Sequence, residues 1–153
     1  MSTGDRPARI GFLLAQLGAH AADLFAAQTR QLGITPSEAG VVRIVGRTPG
    51  ISQRELAEKL GAVQSRVVAL VDRLEAAGLA TRTRNASDRR MQRLELTDAG
   101  RRTLADLRRA AQVQEAALTD GLTLEQKNEL HELLARLSAL RSLDADVHPG
   151  YHA

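Results

Sequence analysis

The spacing of apolar residues changes once in the middle of this chain, and that change restricts the fold more than any other feature. From Ser52 to Ala77 the spacing is helical; from Leu79 to Leu96 it alternates. Ser52 and Glu55 carry the signature of a capping box, in which each satisfies the other's backbone amide. Leu56 and Leu60 follow one turn apart on a helix face, with Ala57 beside them. Gly61 then provides a residue that takes a left-handed turn without steric cost. A second helix is expected over about 63–77, where Val67, Leu70, Val71 and Leu74 stand at i, i+3, i+4 and i+7. Gly78 ends it. Beyond lie two alternating runs, Leu79 to Arg84 and Arg93 to Leu96, around Asn85-Ala86-Ser87-Asp88-Arg89-Arg90, rich in turn formers and charge.

Helix, glycine turn, helix and hairpin make the plan of a winged helix-turn-helix, a mainly α fold with a small β wing. The charge agrees with a double-stranded DNA partner. Between Gln64 and Arg93 there are 7 Arg and 3 acids, whereas the remaining residues hold 14 basic and 15 acidic groups. The whole positive excess therefore falls on the segment expected to meet phosphate, the electrostatic footprint of nucleic-acid binding.

Several pieces resemble the MarR family of bacterial transcriptional regulators: Gln53-Arg54-Glu55-Leu56-Ala57, then Val71-Asp72-Arg73-Leu74-Glu75 with Gly78-Leu79, and Asp88-Arg89-Arg90 ahead of Leu94, Leu96, Thr97 and Ala99-Gly100. The resemblance covers nearly the whole chain. It implies that the second helix is a recognition helix in the major groove, with Gln64, Ser65 and Arg66 facing base edges or phosphates. It implies that Arg90 enters the minor groove at the wing tip, oriented by Asp88, which is also a natural turn residue. Arg89 would touch phosphate, Arg84 belongs to the same arginine-rich wing, and Ser52 and Gln53 would meet the DNA backbone. Arg side chains can bind guanine bidentately or occupy a narrow A·T-rich minor groove. Arg73 is expected to pair with an acid of its own domain. Two departures bear on sequence readout. Val63 gives the recognition helix no side-chain cap, and Val68 and Ala69 place few hydrogen-bonding groups on the helix.

The rest of the chain frames this core. With two Phe, one Tyr and no Trp, the core must be aliphatic. Without cysteine there is no disulfide, thiolate metal site or thiol switch. Near the N-terminus, Arg6 and Arg9 before Ile10-Gly11-Phe12-Leu13-Leu14 faintly resemble a signal peptide, but Gln16, Gly18 and His20 interrupt the run. An amphipathic helix over 7–32 is expected instead, and no stretch is expected to reach the ~20 apolar residues of a membrane span. A cytoplasmic protein follows. Gly33 closes that helix, and Thr35-Pro36-Ser37-Glu38 opens the next with a capping box. The winged unit is assigned to 35–97, with a one-residue strand at Ile51 implied by the family. After the wing, Thr97 caps a helix to about Leu118, and Thr123 to Gln126 form a third capping box.

The terminal helices, 7–32 and 98–143, are apolar on faces that the middle unit cannot cover. Ile10, Leu13, Leu14 and Leu17 from the first, with Leu130, Leu133, Leu137 and Leu140 from the last, are assigned to a homodimer interface. Two-fold symmetry would place the recognition helices about 34 Å apart on a pseudo-palindromic operator. Residues 144–153 read as a flexible tail.

No enzyme is expected, since no phosphate loop or nucleophile elbow occurs. No metal or cofactor is expected either. His20, His131, His148 and His152 are scattered, and the last two straddle Pro149-Gly150, which no helix would span. The resemblance implies a small-molecule effector, commonly an aromatic acid or other lipophilic anion, bound between the first two helices and the helix after the wing. His20 and Arg43 are candidate polar liners; the plainer alternatives are an interface histidine and a surface arginine paired with an acid. Two other functions compete with a ligand-responsive repressor: a winged-helix protein-interaction module, and a non-specific architectural DNA binder.

Overall fold

Helix α1 (Ile10–Gln31) leads to α2 (Pro36–Arg47), a short strand β1 (Ile51–Ser52), α3 (Gln53–Leu60) and α4 (Gln64–Ala76). The hairpin β2 (Ala80–Arg84) and β3 (Gln92–Leu96) follows, then α5 (Asp98–Leu118) and α6 (Leu124–Leu140). The computed structural model describes residues 9–84, 87–88 and 91–151. All three expected capping boxes form, at Thr35/Glu38, Ser52/Glu55 and Thr123/Gln126. Gly61 closes α3 in the left-handed region at φ 61°. Val63 starts α4 without a side-chain cap.

The apolar stripe of α4 is the centre of the core. Val67, Leu70, Val71 and Leu74 are buried together with Val41, Val42, Ile44 and Val45 of α2, Leu56 and Leu60 of α3, and Leu94 of the sheet. The sheet is antiparallel in the order β1-β3-β2, with Leu94 paired to Ile51 on one side and Arg82 on the other. On β2 it is Ala80 and Arg82 that turn inward, leaving Thr81 and Thr83 exposed.

Gly100 seats α5 on this unit. A Cβ there would stand 2.0 Å from the Leu79 carbonyl oxygen, so the first turn of α5 rests directly on backbone at the base of the wing. Farther along, α5 packs on α1, where Gln28 Nε2 donates to the Ala110 carbonyl and Gln114 Nε2 to the Ala21 carbonyl, both at 3.0 Å.

The outer helices keep large apolar side chains in solvent. Ile10, Leu13, Leu14 and Leu17 on α1 are exposed, as are Leu130, Leu133, Leu137 and Leu140, and no residue of α6 is buried. One expectation needs correcting here: by length and composition α1 is apolar enough to cross a membrane. Its many alanines and leucines on several faces raise its apolarity above what its interrupted run suggested.

The assignment of 144–153 as a flexible tail is also corrected as far as Tyr151; residues 152 and 153 lie outside the described residues. Residues 144–151 lie against the body: Tyr151 is only 2% exposed and its hydroxyl donates to the Ser37 carbonyl at 2.6 Å. Asp146 pairs with Arg47, and Lys59 stands 3.7 Å from both Asp144 and Asp146. His148 stacks on Phe25 with ring centres 4.6 Å apart. Short-range polarity suggested fraying; the anchors are contacts with residues far away in the chain.

Replacing Gly100 with Ala should destabilise the fold by about 1–3 kcal/mol, since its methyl group meets a carbonyl that the sheet holds in place. Urea unfolding would show this as a lower midpoint with unchanged slope. An unchanged midpoint would mean that α5 can slide off its seat freely.

Candidate nucleic-acid interface

The first turn of α4 opens one end of a cleft of about 720 Å³ that Gln53, Gln64 and Val68 line on one side and Asp88, Met91 and Gln92 on the other. Gln64 and Ser65 are exposed, at a helix end that no side chain caps. Such an end carries partial positive charge and suits an anion. Arg84 is exposed at the far end of β2. Asp88 lines the cleft, while Arg89 and Arg90, expected at the wing tip, lie outside the described residues.

Several arginines of the basic segment are occupied within the domain. Arg82 inserts between α4 and the sheet, its side chain 17% exposed. It pairs with Asp72 at 2.7 Å and stands 3.6 Å from Glu75. It also donates to Gln53 Oε1 at 3.1 Å and to the Val68 carbonyl at 3.3 Å. Arg93 donates to the Gly50 carbonyl at 2.9 Å. Arg73 pairs with Glu38 at 2.7 Å, as expected of an arginine serving its own domain. The other Glu38 oxygen accepts from the Thr35 amide, so one buried carboxylate caps α2 and holds α4.

Two residues expected at DNA make hydrogen bonds within the protein. Ser52 is 1% exposed, and its hydroxyl accepts from the Glu55 amide at 3.0 Å. It starts α3 and also lines the cleft; the Ser52 amide and hydroxyl in turn hold the Glu55 carboxyl below its usual range. Arg66 is half-buried and donates to the carbonyls of Gly150 and Tyr151. Nothing near Arg66 in the sequence signals this, because its acceptors lie 84 and 85 residues away. Gln53 remains in the cleft, with its carbonyl oxygen taken by Arg82.

A second cavity, of about 340 Å³, lies among α1, α2 and α5. Phe25, Leu104, Leu107 and Ala111 provide apolar walls, and Arg43, Arg47 and Arg108 bring three positive charges. Arg43, a candidate polar liner, borders this cavity. His20 does not: it is exposed on α1 and absent from the lining. It precedes Phe25 by five residues, which on a helix means about 140° of rotation and about 7.5 Å of rise. Arg47 and Arg108 were not singled out from the sequence, although Arg43 and Arg47 are spaced i, i+4 on one helix face. Burial lowers the pKa of the His148 imidazole, which stacks on Phe25 at the cavity edge, and its contact with the Pro149 carbonyl opposes that shift.

Residues 32–91 match the model of the MarR family. A putative transcriptional regulatory protein for the hcr operon of Thauera aromatica is 32% identical over 105 residues, which span 69% of this chain and 63% of that protein's length. The transcriptional repressor CouR, solved bound to a 23-mer DNA duplex, superposes with a TM-score of 0.76 at 32% identity, covering 90% of this chain and 98% of CouR. Apo MarR from E. coli gives the same TM-score at 22% identity, over 87% of this chain and 98% of that one, which speaks for the fold alone.

Two arginines two residues apart on β2 should behave oppositely. Arg82→Met should cost about 1–3 kcal/mol in urea unfolding, because it removes the hydrogen bonds that join β2 to α4 and α3. Arg84→Ala, at an exposed position, should change stability by no more than about 0.5 kcal/mol. Equal effects would show that Arg82 is no structural hub.

Proposed function

The chain belongs to the MarR family, and on that footing we propose that it is a homodimeric, sequence-specific double-stranded-DNA-binding regulator of transcription, acting as a repressor. The observation that carries this reading is the exposed, uncapped first turn of α4, with Gln64 and Ser65, opening onto a cleft whose opposite wall is the wing. In the major groove that end would offer two polar side chains and free amides to base edges and phosphate. Arg84 on β2, with Arg89 and Arg90 next along the sequence, would follow the adjacent phosphates and minor groove. CouR's binding of a DNA duplex supports extending the same partner to this chain.

A second copy of the chain would cover the leucines of α1 and α6. Full burial of such a side chain contributes roughly 1.5–3 kcal/mol; Ile10 and the seven leucines assigned to the interface are already partly covered, and the fraction each still gains adds up to a strong reason to associate. On this reading the apolarity of α1 serves the dimer rather than a bilayer, and α1 packs on α5 through the Gln28 and Gln114 hydrogen bonds. The protein then works in the cytoplasm, without catalysis.

The three-arginine cavity suits a small lipophilic anion such as an aromatic acid, with the ring against Phe25 and Leu107 and the charge toward Arg43, Arg47 and Arg108. A ligand that prefers a dimer with wrongly spaced recognition helices lowers DNA affinity by its differential affinity for that state.

Fluorescence anisotropy across a salt series, comparing DNA from upstream of the protein's own gene with random DNA, tests the main reading. Palindrome-dependent binding about 10³-fold tighter than to random DNA is expected. Sequence-blind binding with a steep salt slope would mean an architectural binder, and no binding at low salt a protein-interaction module. Arg84→Ala should weaken binding and flatten the salt slope by about one per protomer; an unaltered slope would remove Arg84 from the interface. Leu133→Glu combined with Leu137→Glu should give monomers in sedimentation velocity that bind DNA poorly, and persistent dimers would move the interface elsewhere.

A further inference from the structure

After α6 the chain returns to the winged unit and grips α4. Arg66 Nη1 donates to the Tyr151 carbonyl at 3.0 Å, and Nη2 donates to the Gly150 carbonyl at 2.8 Å. The guanidinium carbon lies 5.9 Å from the centre of the Tyr151 ring. The ring is seated in a slot that exists because residue 40 is glycine: a Cβ there would fall 1.9 Å from the phenol oxygen. Burial pushes the Tyr151 hydroxyl up to about 12, so it stays a neutral donor to Ser37. The segment is held farther back by Asp146 on Arg47 and by His148 on Phe25.

We propose that residues 144–151 are an intramolecular latch that withholds Arg66 from DNA, releasing it only when Tyr151 leaves the Gly40 slot. The proposal rests on the regulator reading above. A guanidinium presents its donors in one plane, and bidentate recognition of guanine or phosphate uses two of them side by side. Both terminal nitrogens of Arg66 already donate to tail carbonyls. Bidentate contact to DNA through this same terminal edge therefore competes with the tail, at the first turn of α4 where the interface begins. The latch also touches the second cavity, because Phe25 and Arg47 both line it. An anion that draws Arg47 inward takes it from Asp146, so occupancy of the cavity and closure of the latch share the same two side chains.

Tyr151 is the chain's single tyrosine, so incorporation of 3-fluorotyrosine puts one fluorine probe in the slot of the otherwise unaltered chain. Two variants open the latch independently: Tyr151→Ala removes the anchor, and Gly40→Ala fills the slot while leaving the tail intact. The probe is a duplex of about 30 base pairs from upstream of the protein's own gene, long enough for two half-sites. Fluorine NMR should show a buried resonance in the free protein. Saturating DNA should move it to the position seen in Gly40→Ala. Both variants should bind DNA about three- to tenfold tighter, the worth of one charge-assisted contact, with a salt slope steeper by about one per protomer. Adding Arg66→Ala should abolish that gain while changing the parent little.

A resonance that stays buried in the DNA complex, or variants that bind no tighter than the parent, would overturn the latch; weaker binding would mean that the tail positions Arg66 for DNA. In those outcomes the parent still binds DNA and the regulator reading stands. If neither the parent nor any variant binds DNA while the resonance is buried, the regulator reading falls, and the latch's role falls with it.

Discussion

Everything in the winged unit depends on burying one stripe of α4 against α2 and the central strand. Val67, Leu70, Val71 and Leu74 are fully enclosed, and full burial of such side chains contributes roughly 1.5–3 kcal/mol each. Because those four residues must face inward, the opposite face and the first turn must face outward. The orientation of Gln64 and Ser65 is thus a by-product of hydrophobic packing rather than of any polar contact of their own. Glu38 adds the one buried carboxylate in this layer, tied to the start of α2 and to Arg73 of α4.

Electrostatics refine that picture. Counted along the chain, the basic segment is strongly positive; counted in space, several of its guanidiniums make contacts within the protein and Arg82 is largely buried. Arg82 bridges β2 to α4 and α3, Arg73 serves Glu38, Arg93 ties β3 to the Gly50 carbonyl, and Arg66 holds the returning tail. The positive field that reaches a partner is therefore narrower than the composition suggests. Among the described residues of the wing it is carried at Arg84, at the end of β2, and at exposed Arg93 on β3.

The elements were legible because each is announced locally. Capping boxes, Gly61 and the shift from helical to alternating spacing are short-range signals, and the helices and strands follow them closely. The roles of individual polar residues were less legible. Ser52 reads equally well as a cap or as a DNA contact, and in the fold it caps α3 while lining the cleft. Arg66 looks like a free cation because its acceptors lie at the other end of the chain. The tail looks disordered for the same reason: Asp144, Asp146 and His148 are polar in isolation and find partners only when α2, α3 and α1 surround them. The cavity was partly visible through Arg43, whereas Phe25, Arg47 and Arg108 come together only in three dimensions.

The close approach of Gly100 to the Leu79 carbonyl has a mechanical meaning. It leaves no side chain between α5 and the base of the wing to absorb a displacement, so the two are coupled as a stiff joint. From that joint α5 runs for 21 residues, about 32 Å at 1.5 Å per residue. A tilt of about 10° at the joint then corresponds to a swing of about 5 Å at the far end, near Leu118. The helix is a lever with its short arm in the wing: coarse movements among the outer helices are geared down to fine adjustments of the sheet.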